Sequence, residues 1–266
     1  MSNHIKQFGW MKKMAENNDP AWLETTNDTS SRRTYLDELA KVFDQDSRST
    51  RHKLDHFPSM VPTTAVGRLL GRYELFKLIK YIPGAIIEAG VFSGGGLFSF
   101  AHSSFLLEPH NIYRRIIGFD TFEGFPSISE QDASGESVHL KEGGYKDDCY
   151  ESLRLSAQAH EDFRMLKGRR QIELIKGDID VTVPQFIDDN PALVVAMLYL
   201  DCDLYEPTKT CLKHFLPRMP KGSLLVFDEL GLEEYPGETL ALLSECGIEH
   251  LHLRKLDFLK MCYAIL

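Results

Sequence analysis

The chain has 266 residues, of which 43% are hydrophobic, 26% charged and 11% aromatic, an ordinary globular composition that excludes collagen-like, coiled-coil and wholly disordered chains. Lys and Arg total 30 against 39 Asp and Glu, a net charge of −9, the opposite sign to a nucleic-acid footprint. The longest apolar run, Ala192 to Leu200, falls well short of the roughly 20 residues that span a bilayer, and the N-terminal stretch lacks a signal-peptide core, so the expectation is a cytoplasmic protein with no membrane partner.

Residues 1–62 are polar and irregular, with short helices expected near Ile5 to Glu16 and Tyr35 to Phe43. They read as an extension that covers an acceptor or makes oligomer contacts. From Thr63 the apolar residues Val66, Leu69, Leu70, Leu75, Phe76 and Ile79 form a helical stripe that Pro83-Gly84 ends. Strands follow at Ala85–Ala89, Arg115–Asp120, Ile172–Lys176, Leu193–Leu200 and Ser223–Phe227, separated by helices at Leu97–Leu107, Val183–Asp188 and Thr208–Phe215. Near-continuous apolar strands alternating with helices predict a doubly wound α/β fold with a parallel sheet. After a helix at Glu238–Cys246, strands near His250–Leu253 and Lys260–Ile265 are too close in sequence for a parallel crossover and predict an antiparallel hairpin. That ending is the arrangement of class I methyltransferases. Residues 127–165 are expected to form a mobile lid.

Three strand ends fit an adenosine-containing ligand. Glu88-Ala-Gly90-Val-Phe-Ser93-Gly94-Gly95-Gly96 is a strand, a glycine turn and a helix start, which lets backbone N–H groups approach a ligand closely. It lacks the G-x-G-x-x-G spacing of a dinucleotide site. Asp120 ends the second strand, where a carboxylate can accept ribose hydroxyls, and Asp178 ends the third, where it either caps the next helix or meets an adenine edge. Together they favour S-adenosylmethionine. The cysteines, Cys149, Cys202, Cys211, Cys246 and Cys262, are scattered without a CxxC pair, so neither a disulfide frame nor a zinc cage is expected.

The sharper signal is Tyr199-Leu-Asp201-Cys-Asp203-Leu-Tyr205-Glu206, at the carboxyl end of the fourth strand where doubly wound sheets place their chemistry. Two carboxylates at i and i+2 on one face need a cation or a proton between them. Asp228-Glu229 ends the fifth strand. If the fourth and fifth strands are neighbours, Asp201, Asp228 and Glu229 converge on one hard divalent ion, Mg²⁺ above all.

GFDTFEGFP (Gly118–Pro126), YLDCDLYEPT (Tyr199–Thr208), FDELG (Phe227–Gly231) and YPGETLAL (Tyr235–Leu242), with EAGVFSGGG before them, resemble the macrocin O-methyltransferase family over the chain from about Thr63. The resemblance implies a metal-dependent enzyme, typically a homo-oligomer, that methylates a sugar hydroxyl of a small-molecule acceptor. It implies Glu88, Gly90 and Ser93 along the methionine moiety, Asp120 on the ribose, Asp178 near adenine, Asp201, Asp228 and Glu229 as metal ligands, and Asp203 as general base. Family members often have Asp-Asp where this chain has Asp228-Glu229. Rival readings are methylation of a catechol-like chelating acceptor, a noncatalytic S-adenosylmethionine-binding protein, and a dehydrogenase.

Overall fold

The computed structural model describes residues 30–164, 166 and 170–266. The helix expected near Ile5 to Glu16 lies outside the described residues. Helices α1 (Ser30–Gln45) and α2 (Thr50–Asp55) precede the body, the second capped by the Ser49 side chain, which accepts the His52 N–H. The body begins with α3 (Thr63–Ile79), and continues β1 (Ala85–Ala89), α4 (Gly95–Leu107), β2 (Ile116–Asp120), α5 (Tyr150–Phe163), β3 (Ile172–Lys176), α6 (Ile179–Asp189), β4 (Val195–Leu200), α7 (Tyr205–Phe215), β5 (Leu224–Phe227), α8 (Gly237–Glu245), β6 (Arg254–Lys255) and β7 (Cys262–Ile265).

These strands form one seven-stranded sheet in the order β3-β2-β1-β4-β5-β7-β6. β1 to β5 pair in parallel, and β7 runs antiparallel to both β5 and β6. The expected doubly wound sheet and its antiparallel ending are therefore both present. Successive residues of the central strands alternate between two cores. Ile87, Ala89, Leu198, Leu200 and Phe227 pack with α6, α7 and α8, whereas Ile86, Met197, Tyr199 and Val226 pack with α3, α4 and α5. Burial on both faces is why β4, VAMLYL, reads as an unbroken apolar run.

Two elements differ from the sequence reading. The second half of the supposed lid is the body helix α5, whose Leu153 and Ala157 are buried in the second core; with Ala157 so small, the stripe is too faint to stand out in the sequence. The closing strand β6 is Arg254–Lys255 rather than His250–Leu253, and both its residues are exposed, a short charged edge of the kind that discourages further strand addition.

The α3–β1 connection is held by Arg114, which precedes β2. Its guanidinium donates to the carbonyls of Ile82 (3.0 Å) and Gly84 (2.6 Å) and to Glu108 Oε1 (2.9 Å). The two side chains are 2% and 8% exposed, so removing one partner leaves a buried charge unpaired, at a cost of about 3–5 kcal/mol. Glu108→Ala should lower stability by that amount in urea unfolding. A loss below about 1 kcal/mol would show that the carbonyls alone hold Arg114.

Candidate active site

The register of the parallel strands sets the acids. Leu200 lies opposite Phe227, and the ladder runs on past both, with Asp228 N–H donating to the Leu200 carbonyl at 3.0 Å and Asp201 N–H to the Ala89 carbonyl at 2.8 Å. Asp201 and Asp228 therefore leave neighbouring strands at the same level, on the face shared by Tyr199. Gly90 sits at the end of β1 with φ 89°, and a Cβ there would run into the Asp201 carbonyl, so only glycine lets the first strand end this close to the fourth.

Beneath these acids Arg72 of α3 is 6% exposed. Its Nη2 lies 3.3 Å from Asp201 Oδ2, and its guanidinium stands 5.0 Å from the centre of the Tyr199 ring. The Tyr199 hydroxyl donates to Asp228 Oδ1 at 2.6 Å. Burial opposes the charge on Arg72, but Tyr199, Asp201, Glu88 and Asp228 outweigh it and raise its pKa. Arg72 and Tyr199 thus orient both acids. The sequence reading gives Tyr199 no role beyond opening its motif and does not mark Arg72, whose one signal is an arginine next to the apolar stripe of α3.

Asp203 does not share the strand face of Asp201. β4 ends at Leu200 and Asp203 is left-handed, φ 62°, so the i, i+2 alternation stops before reaching it. Its carboxyl is held well above the usual range by burial and by the charges of Glu229 and Asp228. The same causes, burial and then Asp228, raise Asp201. Glu238 of α8, which the sequence reading placed only as a helix start, is fully buried beside this group, with its Oε2 accepting the Glu229 N–H at 3.1 Å and its Oε1 unpartnered. Burial and the charges of Asp203 and Glu229 push it up as well.

The expected convergence of Asp201, Asp228 and Glu229 is not found: among the described residues no group of three His, Cys, Asp or Glu side chains is arranged to hold a metal ion. The reason is β7. Phe227 pairs with Cys262, and two residues beyond that pair, in opposite directions, Glu229 meets Lys260 in an ion pair through Oε1. Glu229 Oε2 is buried without a partner. The carboxyls of Asp201, Asp203, Asp228, Glu229 and Glu238 nevertheless outnumber Arg72 and Lys260. An all-oxygen donor set of this kind is the chemistry a hard cation takes, and Asp201 and Asp228 leave adjacent strands at the same level.

On the cofactor side Asp120 is a structural hub. Its Oδ2 accepts the N–H groups of Val91 (2.7 Å) and Phe92 (2.8 Å), and its Oδ1 that of Phe122 (2.6 Å), tying the glycine turn to the end of β2. Ser93 donates its hydroxyl to Asp147. Asp178 caps α6 by accepting the Asp180 N–H at 3.0 Å. Glu88 is 1% exposed and packs behind the helix start at Gly96 rather than lining the cleft. A cavity of about 520 Å³ lies elsewhere, along β3, lined by Arg115, Tyr150, Arg154 and Arg170 among others.

Phe92, Phe122, Tyr145 and Asp203 are the non-glycine residues with left-handed backbones among those described, with φ of 46°, 55°, 56° and 62°. Each borders this cleft. Such conformations cost about 1–3 kcal/mol and gather at functional sites.

The sequence profile of the macrocin-O-methyltransferase (TylF) family matches residues 11–241, and the chain belongs to that family. It is 27% identical over 154 residues to an 8-demethyl-8-(2,3-dimethoxy-α-L-rhamnosyl)-tetracenomycin-C 4′-O-methyltransferase of Streptomyces olivaceus, a match covering 57% of this chain and 55% of the relative. A demethyldecarbamoylnovobiocin O-methyltransferase of Streptomyces niveus is 25% identical over 56% of this chain and 53% of its own. The matches thus span about half the length of these curated relatives. Among solved structures, the calicheamicin methyltransferase CalS11 superposes with a TM-score of 0.86 at 31% identity, covering 90% of this chain and 94% of its own. The fold is that of the class I O-methyltransferases. An apo structure of the same enzyme, CalS11, a TDP-rhamnose 3′-O-methyltransferase of calicheamicin biosynthesis, gives a TM-score of 0.78 at 31% identity, covering 90% of this chain and 96% of its own.

Burial and a nearby Asp120 raise Glu88, against the pull of Arg72, to a pKa of about 8 from 4.5. The folded protein then keeps a proton that the unfolded chain releases between those values, so this group makes stability fall as pH rises from 4.5 to 8 and leaves it flat above. Glu88→Gln should flatten that decline, seen as urea midpoints at pH 5.5 and 8 that move closer together than in the wild type. An unchanged difference would mean that Glu88 is ionised throughout.

Proposed function

We propose that this protein is an S-adenosylmethionine-dependent O-methyltransferase that methylates a sugar hydroxyl of a nucleotide sugar or glycosylated natural product with the help of a divalent cation. The observation that carries the reading is the pairing of Asp201 with Asp228 at the carboxyl ends of adjacent strands, one chain crossing from the glycine turn. The names of the relatives, a TDP-rhamnose 3′-O-methyltransferase and a rhamnosyl 4′-O-methyltransferase, support a deoxysugar acceptor.

S-adenosylmethionine would supply a methyl group on its sulfonium. Gly90 and Ser93 at the turn, with Asp120 fixing the turn's backbone, are the residues to hold it, and Asp178 borders the adenine side. Glu88 would act from behind, through the helix start it supports. Mg²⁺ or a similar ion, held by Asp201 and Asp228, would make a neighbouring hydroxyl more acidic; Glu229 joins as a ligand only if Lys260 releases it. Asp203 takes the proton from the acceptor hydroxyl. Arg72 and Tyr199 keep the acids in position while the hydroxyl and methyl carbon align, and such alignment accounts for much of the rate in displacement reactions.

The test is labelled methyl transfer from S-adenosylmethionine to TDP-rhamnose. EDTA should abolish turnover and Mg²⁺ restore it while calorimetry shows S-adenosylhomocysteine still bound. Full turnover after rigorous chelation would reject the cation. Asp203→Asn should slow turnover by about 10² to 10⁴-fold with cofactor affinity intact, and equal rates for the two proteins would remove Asp203 from the chemistry.

The N-terminal helices and the turn after them leave Tyr35, Val42, Phe43, Leu54 and Phe57 exposed, which supports self-association through this extension. Sedimentation should show an oligomer that Val42→Asp with Phe43→Asp dissociates; a wild-type monomer would contradict it.

A further inference from the structure

The stretch between β2 and α5 is sewn onto the acid end of the sheet. Asp132, 1% exposed, accepts the Tyr205 N–H at 2.9 Å through Oδ1, and its Oδ2 accepts the Ser129 hydroxyl at 2.6 Å. Phe125 and the glycines before Tyr145 bond each other's backbones, Phe125 N–H to the Gly144 carbonyl and Gly143 N–H to the Phe125 carbonyl, both at 2.9 Å. Tyr145 emerges from this pairing in its left-handed conformation.

Its ring lies among four others: His139 at 4.7 Å, Phe125 at 5.6 Å, Phe92 of the glycine turn at 5.9 Å and Tyr235 at 6.2 Å between centroids. Tyr145 therefore bridges the cofactor turn and the acid cluster. Its hydroxyl meets that of Tyr235 at 2.6 Å, and the Tyr235 hydroxyl meets that of Ser137. Burial and then Asp203 hold Tyr145 above its usual pKa, and Asp203 and Glu229 act in the same sense on Tyr235. Both phenols stay protonated beside the acids.

Three linked hydroxyls own three hydrogens and use two on one another, so one remains to donate outward. Nothing in the proposed methyl transfer uses it. A sugar oxygen can accept from such a donor in a cleft lined mostly by carboxyl groups.

We infer that Tyr145 and Tyr235 bind the acceptor: their paired hydroxyls hold a sugar oxygen next to the hydroxyl presented to Asp203, and the aromatic ring cluster flanks the sugar. This rests on the sugar methyltransferase reading above. Tyr145 holds a left-handed backbone, φ 56°, a strained conformation of the kind that gathers at functional sites.

Tyr145→Phe and Tyr235→Phe in the full chain, assayed with TDP-rhamnose and labelled S-adenosylmethionine, separate the possibilities. The expected result is a KM for the sugar raised about tenfold, as for the loss of one buried hydrogen bond, with S-adenosylhomocysteine affinity and the urea midpoint unchanged. A purely structural role would instead lower the midpoint and the cofactor affinity together and leave KM alone, which overturns the inference. Sugar KM within twofold of wild type in both variants also overturns it, while leaving the methyltransferase reading intact. A wild-type protein that binds S-adenosylhomocysteine but methylates neither TDP-rhamnose nor a rhamnosylated glycoside overturns both the sugar reading and this assignment.

Discussion

Mutual repulsion among carboxylates governs this cleft. Asp201 and Asp228 stand level because Leu200 and Phe227 are in register, and a sheet with any other pairing would not bring them together. Having done so, the fold has to hold like charges close in a half-buried place where they interact strongly. Arg72 and Tyr199 below, Lys260 to the side and the N–H groups of nearby backbone moderate the repulsion without cancelling it. What remains is a standing demand for positive charge, expressed as raised proton affinities at Asp201, Asp203 and Glu229. A proton or a cation can answer it, and the chemistry of a methyl transferase can use either.

The same economy shows in the backbone. Gly90 lets β1 end against the Asp201 carbonyl, and Asp120 gathers the N–H groups of Val91, Phe92 and Phe122. One carboxylate thereby holds the turn that contains Phe92 and the loop that contains Phe122, both left-handed. Over-determined surroundings of this kind are what allow strained residues to persist. The cost of the conformation is spread through hydrogen bonds that also define the cleft's outline.

Much of this was legible in the sequence. Apolar runs such as VAMLYL and LLVF announce strands buried on both faces, and the short link between the last two strands dictates their antiparallel pairing. Strand-terminal acids mark the carboxyl edge as the working edge. The errors have a common origin in register and backbone sign. Glu229 reads as a third ligand because nothing in its neighbourhood announces Lys260, which arrives through the pairing of β5 with β7. Asp203 reads as a strand-face partner of Asp201 because a left-handed φ at an aspartate leaves no trace in spacing. Asp178 carried two readings, and the capping one is what the hydrogen bonds display. Arg72 and Tyr145 carry no signal of their own because each matters through residues far along the chain, Asp201 and Tyr235.

The cleft is assembled from two kinds of chain segment. Its acids are mounted on strands buried to 0% exposure up to Leu200 and Phe227, where any shift would disturb both cores at once. Ser137, His139 and Tyr145 belong to the stretch between β2 and α5, which is attached by side-chain hydrogen bonds and a few backbone links. The acids and the stretch that carries Ser137, His139 and Tyr145 are thus separable pieces, joined through Tyr235, which follows β5. Residues 127–149 are therefore the stretch free to change most while the acids stay where the sheet put them.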